Sequence, residues 1–350
     1  MKIAILGDTH FGMRNDSTKF HDYYEKFYKD VFFPYLKENG ITDIFQLGDL
    51  FDRRKYINFL SLSRSKEYFF SYLQENNITL HTLVGNHDLF WRESVSVNAQ
   101  SLVLGEYSNI KVYTEPTKVS MEDVSIDIIP WICRENEEQV SSFIRKSRSD
   151  LCFGHFEIAG FSMYKGMESH EGLEASVFKQ YSLVCSGHYH TRSQHGNITY
   201  VGTPGEMTWQ DYDDPRGFHV YDLEDKSLSF VRNPYVMFYK VVYDDKDGTT
   251  TDLSSLDLKD AFVRVVVLNK TDFFAFDNFI ETLYNKDCFE IKIVEDFAEL
   301  NSGVIDQTVN LEDTVDVLTG YVDSIDTIDS KDVVKSFMKS LYIEACNVEL

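Results

Sequence analysis

The sequence lacks any run of eighteen apolar residues, although 43% of its 350 residues are hydrophobic. A helix that crosses a membrane needs about 20 mostly apolar residues in succession. The first residues, Met1-Lys2-Ile3-Ala4, lead directly into an apolar strand pattern and not into the longer apolar segment of a secretory signal. We therefore expect no membrane span, no signal peptide and a cytoplasmic location.

Cysteine is scarce, and no two cysteines are spaced as Cys-x-x-Cys. The five that occur are widely separated and mostly lie in apolar stretches: Cys133, Cys152, Cys185, Cys288 and Cys346. An odd, scattered set of this kind is typical of reduced, mostly buried thiols. We expect no disulfide framework.

Basic residues are also in short supply, since 34 Lys and Arg face 57 Asp and Glu, for a net charge of −23. Such a balance argues against nucleic acid, because neutralising phosphate dominates most DNA affinity. The acidity is uneven, however. Residues 1–240 carry 33 acidic and 25 basic side chains, whereas residues 241–350 carry 24 and 9. Part of the acidity in the first region is carboxylate of metal-binding type, whose charge bound cations would offset.

What the sequence does contain is a repeated junction, in which an apolar run ends at a glycine that is followed by Asp, Asn or His. These side chains are metal ligands, and glycine lets the backbone turn sharply. One junction alone would be an ordinary polar turn or helix cap, but five in one chain predict a shared metal site. The five are Gly7-Asp8-Thr9-His10, Gly48-Asp49-Leu50-Phe51-Asp52, Gly85-Asn86-His87-Asp88, Gly154-His155 and Gly187-His188-Tyr189-His190.

Helical patterns separate the first three junctions, which predicts strand-helix-strand units and an α/β sheet. Ser17 is placed to cap the first helix, and Pro34 is placed to bend or end it. A second helix is expected over residues 61–75 and a third over residues 135–148. Short strands at 111–113 and 124–129, and hairpins near the end of the core, predict further β layers. We expect this core to end near Pro234.

The remaining chain has a different pattern. Residues 236–300 predict strand, strand, helix and strand, and residues 301–303 form a plausible linker. Beyond it, apolar residues repeat at intervals of 4, 3, 4 and 3, which predicts an amphipathic helix; they are Leu311, Val315, Leu318, Val322 and Ile325. A second short helix is expected after Ser330, and no internal repeat is present.

The ordered set Asp-x-His, Gly-Asp, Gly-Asn-His-Asp, Gly-His and Gly-His-x-His resembles the calcineurin-like metallophosphoesterases. Within them it is most similar to the SbcD-type DNA repair nuclease subunits of bacteria and phages, over residues 1–219. The resemblance implies a four-layer α/β/β/α sandwich over residues 1–234 and a small α+β cap domain that binds DNA over residues 235–300. Residues 301–350 would be a linker and two helices that bind a partner.

The resemblance also implies two metal sites. Asp8, His10, Asp49 and His190 would hold the first metal, and Asp49 would bridge to the second, completed by three further ligands: Asn86, His155 and His188. Phosphodiester hydrolysis needs a hydroxide near neutral pH and cations on the phosphate oxygens, which two metals provide. Ligands of Asp, His and Asn type, without Cys, suit Mn²⁺ better than structural Zn²⁺, with Mg²⁺ as an alternative.

His87 is then the imidazole without a metal. We expect it to act as general acid toward the leaving oxygen, with Asp88 orienting its ring. Asp52 stands where some relatives have histidine, and its role stays open. Five basic residues on loops or helix starts after the ligand motifs are candidates for gripping DNA phosphates, the alternative being scattered solubilising charge: Arg53, Arg54, Lys55, Arg64 and Arg92.

Three functions fit these patterns. The first is a DNA nuclease subunit, with double-strand exonuclease and single-strand endonuclease activity, that works with an SbcC-like coiled-coil ATPase. The resemblance implies binding of that partner through residues 310–346 and a homodimer within a heterotetramer. The second is a phosphatase of phosphoprotein or nucleotide, because Arg53 lies where phosphoprotein phosphatases bind phosphate. The third, a catalytically inactive scaffold, is disfavoured since no ligand position is missing. The predicted tail helix has its own alternative, which is packing against the cap domain.

Overall fold

The computed structural model describes residues 1–164, 167–170 and 172–295, together with Lys331, Val334, Lys335 and Met338. Residues Met1–Glu295 form one compact unit. Among the helices described, none has the length and apolar character that crossing a membrane requires. The predicted tail helix over residues 311–325, and most of the second tail helix, lie outside the described residues.

The described part of this unit contains nineteen strands. In chain order they are β1 (Lys2–Leu6), β2 (Asp43–Gln46), β3 (Thr79–Leu83), β4 (Leu89–Trp91), β5 (Ser94–Asn98), β6 (Ile110–Tyr113), β7 (Thr117–Met121), β8 (Val124–Ile129), β9 (Leu151–His155), β10 (Ser162–Tyr164), β11 (Met167–Glu168), β12 (Leu183–Gly187), β13 (Ser193–His195), β14 (Ile198–Tyr200), β15 (Gly217–Asp222), β16 (Ser227–Arg232), β17 (Phe238–Asp244), β18 (Phe262–Asn269) and β19 (Glu290–Val294).

Two six-stranded sheets form the core. The first has the order β16-β15-β1-β2-β3-β6, and the second has the order β13-β14-β12-β9-β8-β7. Strands β1, β2, β3 and β6 are mutually parallel, as are β8, β9, β12 and β14, while the outer strands β15, β16, β13 and β7 are antiparallel. The sheets pack face to face through one buried apolar cluster that includes Ile5 and Phe45 of the first and Phe153 and Cys185 of the second.

Helices cover the outer faces of both sheets. They are α1 (Met13–Asp16), a short turn with left-handed backbone at its last three residues, and α2 (Thr18–Phe27), α3 (Phe33–Glu38), α4 (Phe59–Ser65), α5 (Ser71–Glu75), α6 (Ala99–Val103) and α7 (Glu137–Lys146). The remaining helix, α8 (Phe273–Tyr284), packs on the smaller sheet described below. On one side, Phe27 and Phe69 bury against Leu6 and Ile44 of the first sheet. On the other, Val140 and Ile144 of α7 bury against the second sheet. The result is the predicted four-layer α/β/β/α sandwich.

Two helical rods differ in detail from the sequence prediction. A π-helical turn, Tyr28–Phe32, joins α2 to α3, and a second one, Lys66–Phe70, joins α4 to α5. Pro34 lies in the first turn of α3, where a missing N–H is tolerated, so it does not end the rod. Ser17 precedes α2 as predicted, but its side chain makes no capping hydrogen bond.

The carboxyl ends of β1, β2 and β3 and those of β9 and β12 bring the five glycine junctions to one edge of the sandwich. The first junction is anchored in the aromatic core, because Phe11 follows His10 directly and is 3% exposed. Its ring lies 5.5 Å from that of Phe69 and 6.1 Å from that of Phe51, measured between centroids. The loop that carries the first ligands therefore rests on packed side chains.

A smaller parallel sheet of order β17-β18-β19 follows the core, with α8 between β18 and β19. These are the four elements expected for the small α+β region. The ring of Phe262 in β18 lies 5.7 Å from that of Phe20 in α2, so this sheet packs on the first helical rod. Its boundary at residue 235 and its assignment as a cap stay predictions. Four cysteines are free thiols, as expected: Cys133, Cys152, Cys185 and Cys288.

Candidate metal centre

The first group of metal-ligand side chains consists of Asp8, His10 and His190, whose ligand atoms lie within 4.8 Å of one another. The Nε2 atoms of the two histidines face each other at 3.1 Å. An oxygen of Asp8 lies 3.6 Å from the Nε2 of His190. These three residues are the ones predicted for the first metal, together with Asp49, whose Oδ2 is 3.9 Å from the Nε2 of His10.

The second group consists of Asp49, His155 and His188. The Nε2 of His155 lies 3.3 Å from the Oδ2 of Asp49. Asn86 joins this group, because its Oδ1 lies 2.9 Å from the Nε2 of His155 and 3.1 Å from the Nδ1 of His188. The structure thus brings together all seven side chains predicted as ligands, in the two predicted sets, with Asp49 adjacent to both.

Glycines let these loops approach one another. A Cβ on Gly85 would fall well inside van der Waals contact with the Oδ1 of Asp49, and a Cβ on Gly187 would meet the carbonyl of Leu47 and the carboxylate of Asp8. Because no larger side chain fits at either position, the glycine of each junction is needed for its ligand loop to reach the neighbouring one.

Three of the ligand residues have left-handed backbone. His10, Asp49 and His188 have φ values of 42°, 51° and 86°. For residues other than glycine such angles cost about 1–3 kcal/mol each, and they persist where surrounding contacts fix them, often at functional sites. One such contact is the pair of hydrogen bonds that the His188 amide donates to Asp8, at 3.1 and 3.0 Å.

The candidate acid, His87, lies beside both groups. Its backbone amide donates to the Oδ1 of Asp49 at 2.8 Å, and its ring centroid is 5.0 Å from that of His10. The Nδ1 of His87 lies 2.7 Å from the carbonyl oxygen of Asp52, so a proton on Nδ1 is donated to that oxygen. This contact directs Nε2, the other nitrogen of the ring, away from the Asp52 carbonyl.

Asp88 has different contacts from those predicted. Its carboxylate accepts hydrogen bonds from the amides of Leu50, Phe51 and Gly85 and from the Nε2 of Gln100, at 2.9 to 3.3 Å. None of these bonds goes to the His87 ring. Through these bonds Asp88 ties the second junction to the third and holds the loop on which His87 lies.

Burial and close contact shift the pKa values of the carboxylates and imidazoles in the site. Burial raises the pKa of Asp8 to about 6. Although burial would lower it, the carboxylates of Asp52, Asp49 and Asp8 raise the pKa of His10 to about 9. The pKa of His155 is likewise about 9, since Asp49 and Asp8 outweigh its burial. The pKa of His188 falls to about 3 through burial and the adjacent His155.

The donor set fits two divalent cations. The Nδ1 of His155 lies 2.7 Å from the Leu47 carbonyl, so a proton there leaves the lone pair of Nε2 facing the Oδ1 of Asn86. When the ring is neutral, these two acceptors, 2.9 Å apart, would be stabilised by a cation; in the imidazolium form a proton on Nε2 takes that place. Oxygen and imidazole ligands suit Mn²⁺ and related ions.

The five candidate DNA-binding residues have different surroundings. Arg64 is ion-paired with Asp22 at 2.8 Å and Glu25 at 2.6 Å on α2, so its charge is neutralised within the fold. Arg53 bonds to the Oδ1 of Asn15 at 2.6 Å and to the hydroxyl of Tyr56 at 2.5 Å. Arg54 and Lys55 lie on the loop of the second junction, and Arg92 lies in the turn between β4 and β5.

Several residues that support the site were not predicted. Trp131 follows the carboxyl end of β8, and its ring lies 5.0 Å from that of His188. Gln46 is fully buried and donates to the carbonyls of Gly7 and Gly48 at 3.3 and 2.5 Å. Arg216 donates to the carbonyl of His190 and, at 2.7 Å, to Thr203. The position of Trp131 at a strand end was the one signal in the sequence that could have identified it.

Residues 1–192 match the family described as calcineurin-like phosphoesterase. The chain belongs to the calcineurin-like phosphoesterases. It is therefore an enzyme of phosphoester hydrolysis, and both groups of candidate metal ligands lie within the matched residues.

One relative of this phosphoesterase matches along nearly its whole length. It is Exonuclease subunit 1 of Enterobacteria phage T4, which is 34% identical over 351 residues, or 99% of each chain. Two solved structures are more distant. One, a novel archaeal phosphodiesterase, is 11% identical with a TM-score of 0.35 over 67% of this chain and 100% of that chain. The other, GAP50 of Plasmodium, is 16% identical with a TM-score of 0.42 over 66% and 84%.

Proposed function

We propose that the chain is the nuclease subunit of a complex that processes DNA ends, and that it hydrolyses phosphodiesters by a mechanism that depends on two Mn²⁺ ions. The observation that carries the proposal is the pairing of two ligand groups around Asp49, in a chain 34% identical to a phage exonuclease subunit. Asp8, His10 and His190 would hold one ion. Asn86, His155 and His188 would hold the other, with Asp49 shared.

When bound, the two ions would activate a water molecule as the nucleophile and neutralise charge that develops on the phosphate. His87 would donate a proton to the leaving 3′ oxygen. Its ring is suited to this role, because the Asp52 carbonyl fixes Nδ1 at 2.7 Å and so leaves Nε2 as the nitrogen for proton transfer. Asp88 would hold the loop on which His87 lies.

The phosphatase alternative depended on Arg53 as a phosphate ligand. Its guanidinium instead contacts Asn15, Asp16 and Tyr56, and its side chain is 25% exposed. These contacts favour the nuclease. A comparison of two substrates tests the choice: with Mn²⁺ present, the protein should release nucleotides from linear duplex DNA and leave a phosphopeptide intact. His188→Ala should abolish the DNA activity while thermal unfolding stays cooperative. The reverse substrate preference would establish the phosphatase.

DNA would be held by cations near the two ligand loops. Arg54 and Lys55 follow the second ligand junction within a few residues, which makes them the candidates for phosphate contacts that are tested first. We expect the double variant Arg54→Ala, Lys55→Ala to bind all DNA sequences more weakly. The slope of log affinity against log salt concentration should fall by the equivalent of about one or two phosphate contacts. The matched control is Arg64→Ala. An unchanged salt slope in the double variant would assign these cations to solubility.

The T4 relative is a subunit, which supports a partner for this chain. We propose an SbcC-like coiled-coil ATPase bound through residues 310–346, within a heterotetramer that contains a homodimer of this chain. Truncation after Ser302 should leave a Mn²⁺-dependent nuclease that no longer co-purifies with the ATPase. Full binding by the truncated protein would show that the tail packs on its own chain instead.

A further inference from the structure

Three consecutive residues after the first ligand junction have left-handed backbone. Arg14, Asn15 and Asp16 have φ values of 56°, 58° and 61°, and they follow Gly12, whose φ is 96°. Left-handed conformations are unfavourable for L-residues other than glycine, and such residues normally occur singly. A run of three therefore indicates that contacts around the turn hold it in place.

Buried side chains hold one side of this turn. The hydroxyl of Ser61 donates to the Oδ1 of Asp16 at 2.6 Å, and the Nε2 of His21 lies 2.8 Å from the same hydroxyl. The Nδ1 of His21 lies 3.1 Å from the hydroxyl of Tyr68. Ser61 is fully buried and His21 is 4% exposed, so Asp16 is anchored to α2 and α4 by a chain of protected hydrogen bonds.

The other side of the turn holds the guanidinium of Arg53. Its NH2 group donates to the Oδ1 of Asn15 at 2.6 Å, and its NH1 group lies 3.4 Å from the Oδ2 of Asp16. NH1 also donates to the hydroxyl of Tyr56 at 2.5 Å. A planar guanidinium with three partners has little freedom to rotate.

Arg53 directly follows Asp52, the residue whose carbonyl accepts from the ring of His87 at 2.7 Å. The amide of Asp52 donates to the Phe11 carbonyl at 3.2 Å, which fixes the residue from its amino side. The anchored Arg53 side chain fixes it from its carboxyl side. The direction of the Asp52 carbonyl, and with it the orientation of the imidazole, depends on both attachments.

We propose that Asp16 is a positioning residue for proton transfer: through Arg53 it fixes the Asp52 carbonyl that orients His87. This inference rests on the proposed function, in which His87 protonates the leaving oxygen. It differs from a purely structural role for the turn. A structural role would affect all substrates alike, whereas a positioning role affects the substrates whose leaving group needs a proton.

Two substrates separate these roles. In DNA the leaving group is a 3′ alkoxide, which needs a proton from the acid. In the p-nitrophenyl ester of thymidine 5′-phosphate the leaving group is p-nitrophenolate, a stabilised anion that needs none. We expect Asp16→Asn to lower kcat on DNA by roughly 10–100-fold, since small displacements of a reacting group have effects of this size. On the ester the same variant should lose less than about twofold. His87→Ala should show the same selectivity and a larger loss on DNA, of roughly 10²–10⁴-fold.

A double variant provides the second readout. If Asp16 acts through His87, the double variant Asp16→Asn, His87→Ala should be no slower on DNA than His87→Ala alone. Asn15→Gly is a milder variant, because glycine keeps the left-handed backbone and removes only the bond to Arg53; it should reproduce the substrate selectivity at reduced size. Asp22→Asn is the matched control, because it also removes a carboxylate that pairs with an arginine, but that arginine is Arg64 and not Arg53.

Equal losses on both substrates, multiplicative losses in the double variant, or full activity of both turn variants would overturn the inference. Different results would show that the proposed function itself is wrong. If His87→Ala slows both substrates equally, His87 is not the acid, and the inference falls with that assignment. If the unaltered protein cleaves no DNA, the substrate class itself is wrong.

Discussion

The two ligand groups differ in how firmly their side chains are held. In the group of Asp49, the ring of His155 has no exposed surface and contacts the Leu47 carbonyl at 2.7 Å. In the group of Asp8, the Nδ1 of His10 has a longer contact, 3.4 Å to the carboxylate of Asp52, and the side chain of His190 is 27% exposed. Hydrogen bonds behind a metal ligand fix its orientation and tune its affinity.

This difference has a functional meaning. Each group has two buried residues and one histidine of intermediate exposure, so the groups differ in the contact behind the buried imidazole. Because the shorter contact fixes the His155 ring more firmly, we expect the group of Asp49 to hold the tighter ion. The group of Asp8, with the longer contact behind His10, has more freedom to adjust as substrate binds. The comparison predicts that the two ions leave the protein at different chelator concentrations.

The largest effect should come from the residue shared by both groups. Asp49→Asn removes the negative charge between them and should lower DNA hydrolysis by roughly 10³-fold or more, equivalent to several kcal/mol of lost stabilisation. Steady-state kinetics at saturating Mn²⁺ measures it. Asp43→Asn, at the opposite end of the same strand, is the control and should retain nearly full activity. If Asp49→Asn stays active, the groups do not work as a pair.

A direct test of the comparison removes one histidine from each group. His155→Ala should eliminate the tight class of Mn²⁺ binding, and His190→Ala should eliminate the weak class while the tight class remains. Calorimetric titration resolves both classes, with losses of roughly 10–100-fold or more in affinity. Should His190→Ala abolish the tight class instead, the order of the two sites is reversed.

The smallest effect should come from the carboxylate behind His10. Asp52→Asn keeps the size of the side chain but removes its charge, and we expect the weak class alone to lose roughly tenfold in affinity. The same titration measures this. The backbone carbonyl of Asp52 is unchanged, so the p-nitrophenyl ester and DNA should be affected equally. Weaker binding at both classes would mean that the groups are coupled more tightly than their contacts indicate.

The grouping of the candidate metal ligands could be predicted from the sequence, because parallel strands that each end in glycine and a polar side chain bring those side chains to one edge. The supporting contacts could not. Asp88 lies next to His87 in the chain, yet its carboxylate also accepts from the amides of Leu50 and Phe51, which are 38 and 37 positions away. Which loop faces which is settled by the packing of whole sheets and not by local sequence.

The helices could likewise be predicted only in part from the sequence. Helical periodicity placed α2 and α4 correctly, but Pro34 was expected to bend or end the first rod. The π-helical turn before it lets the chain continue, and such a turn has no signal in the spacing of apolar residues. Likewise, Arg64 looked like a cation for DNA until α2 placed Asp22 and Glu25 against it.

The pairing of β1 with β15 has a consequence for how the molecule is made. Lys2 lies opposite Asp222 in this ladder, so the first strand to leave the ribosome waits for a partner synthesised about 220 residues later. Until then, β1 presents one unpaired edge, next to the loop that carries Asp8. The first sheet is thus completed late, and a nascent chain that stalls before Gly217 exposes a strand edge that invites association with other chains.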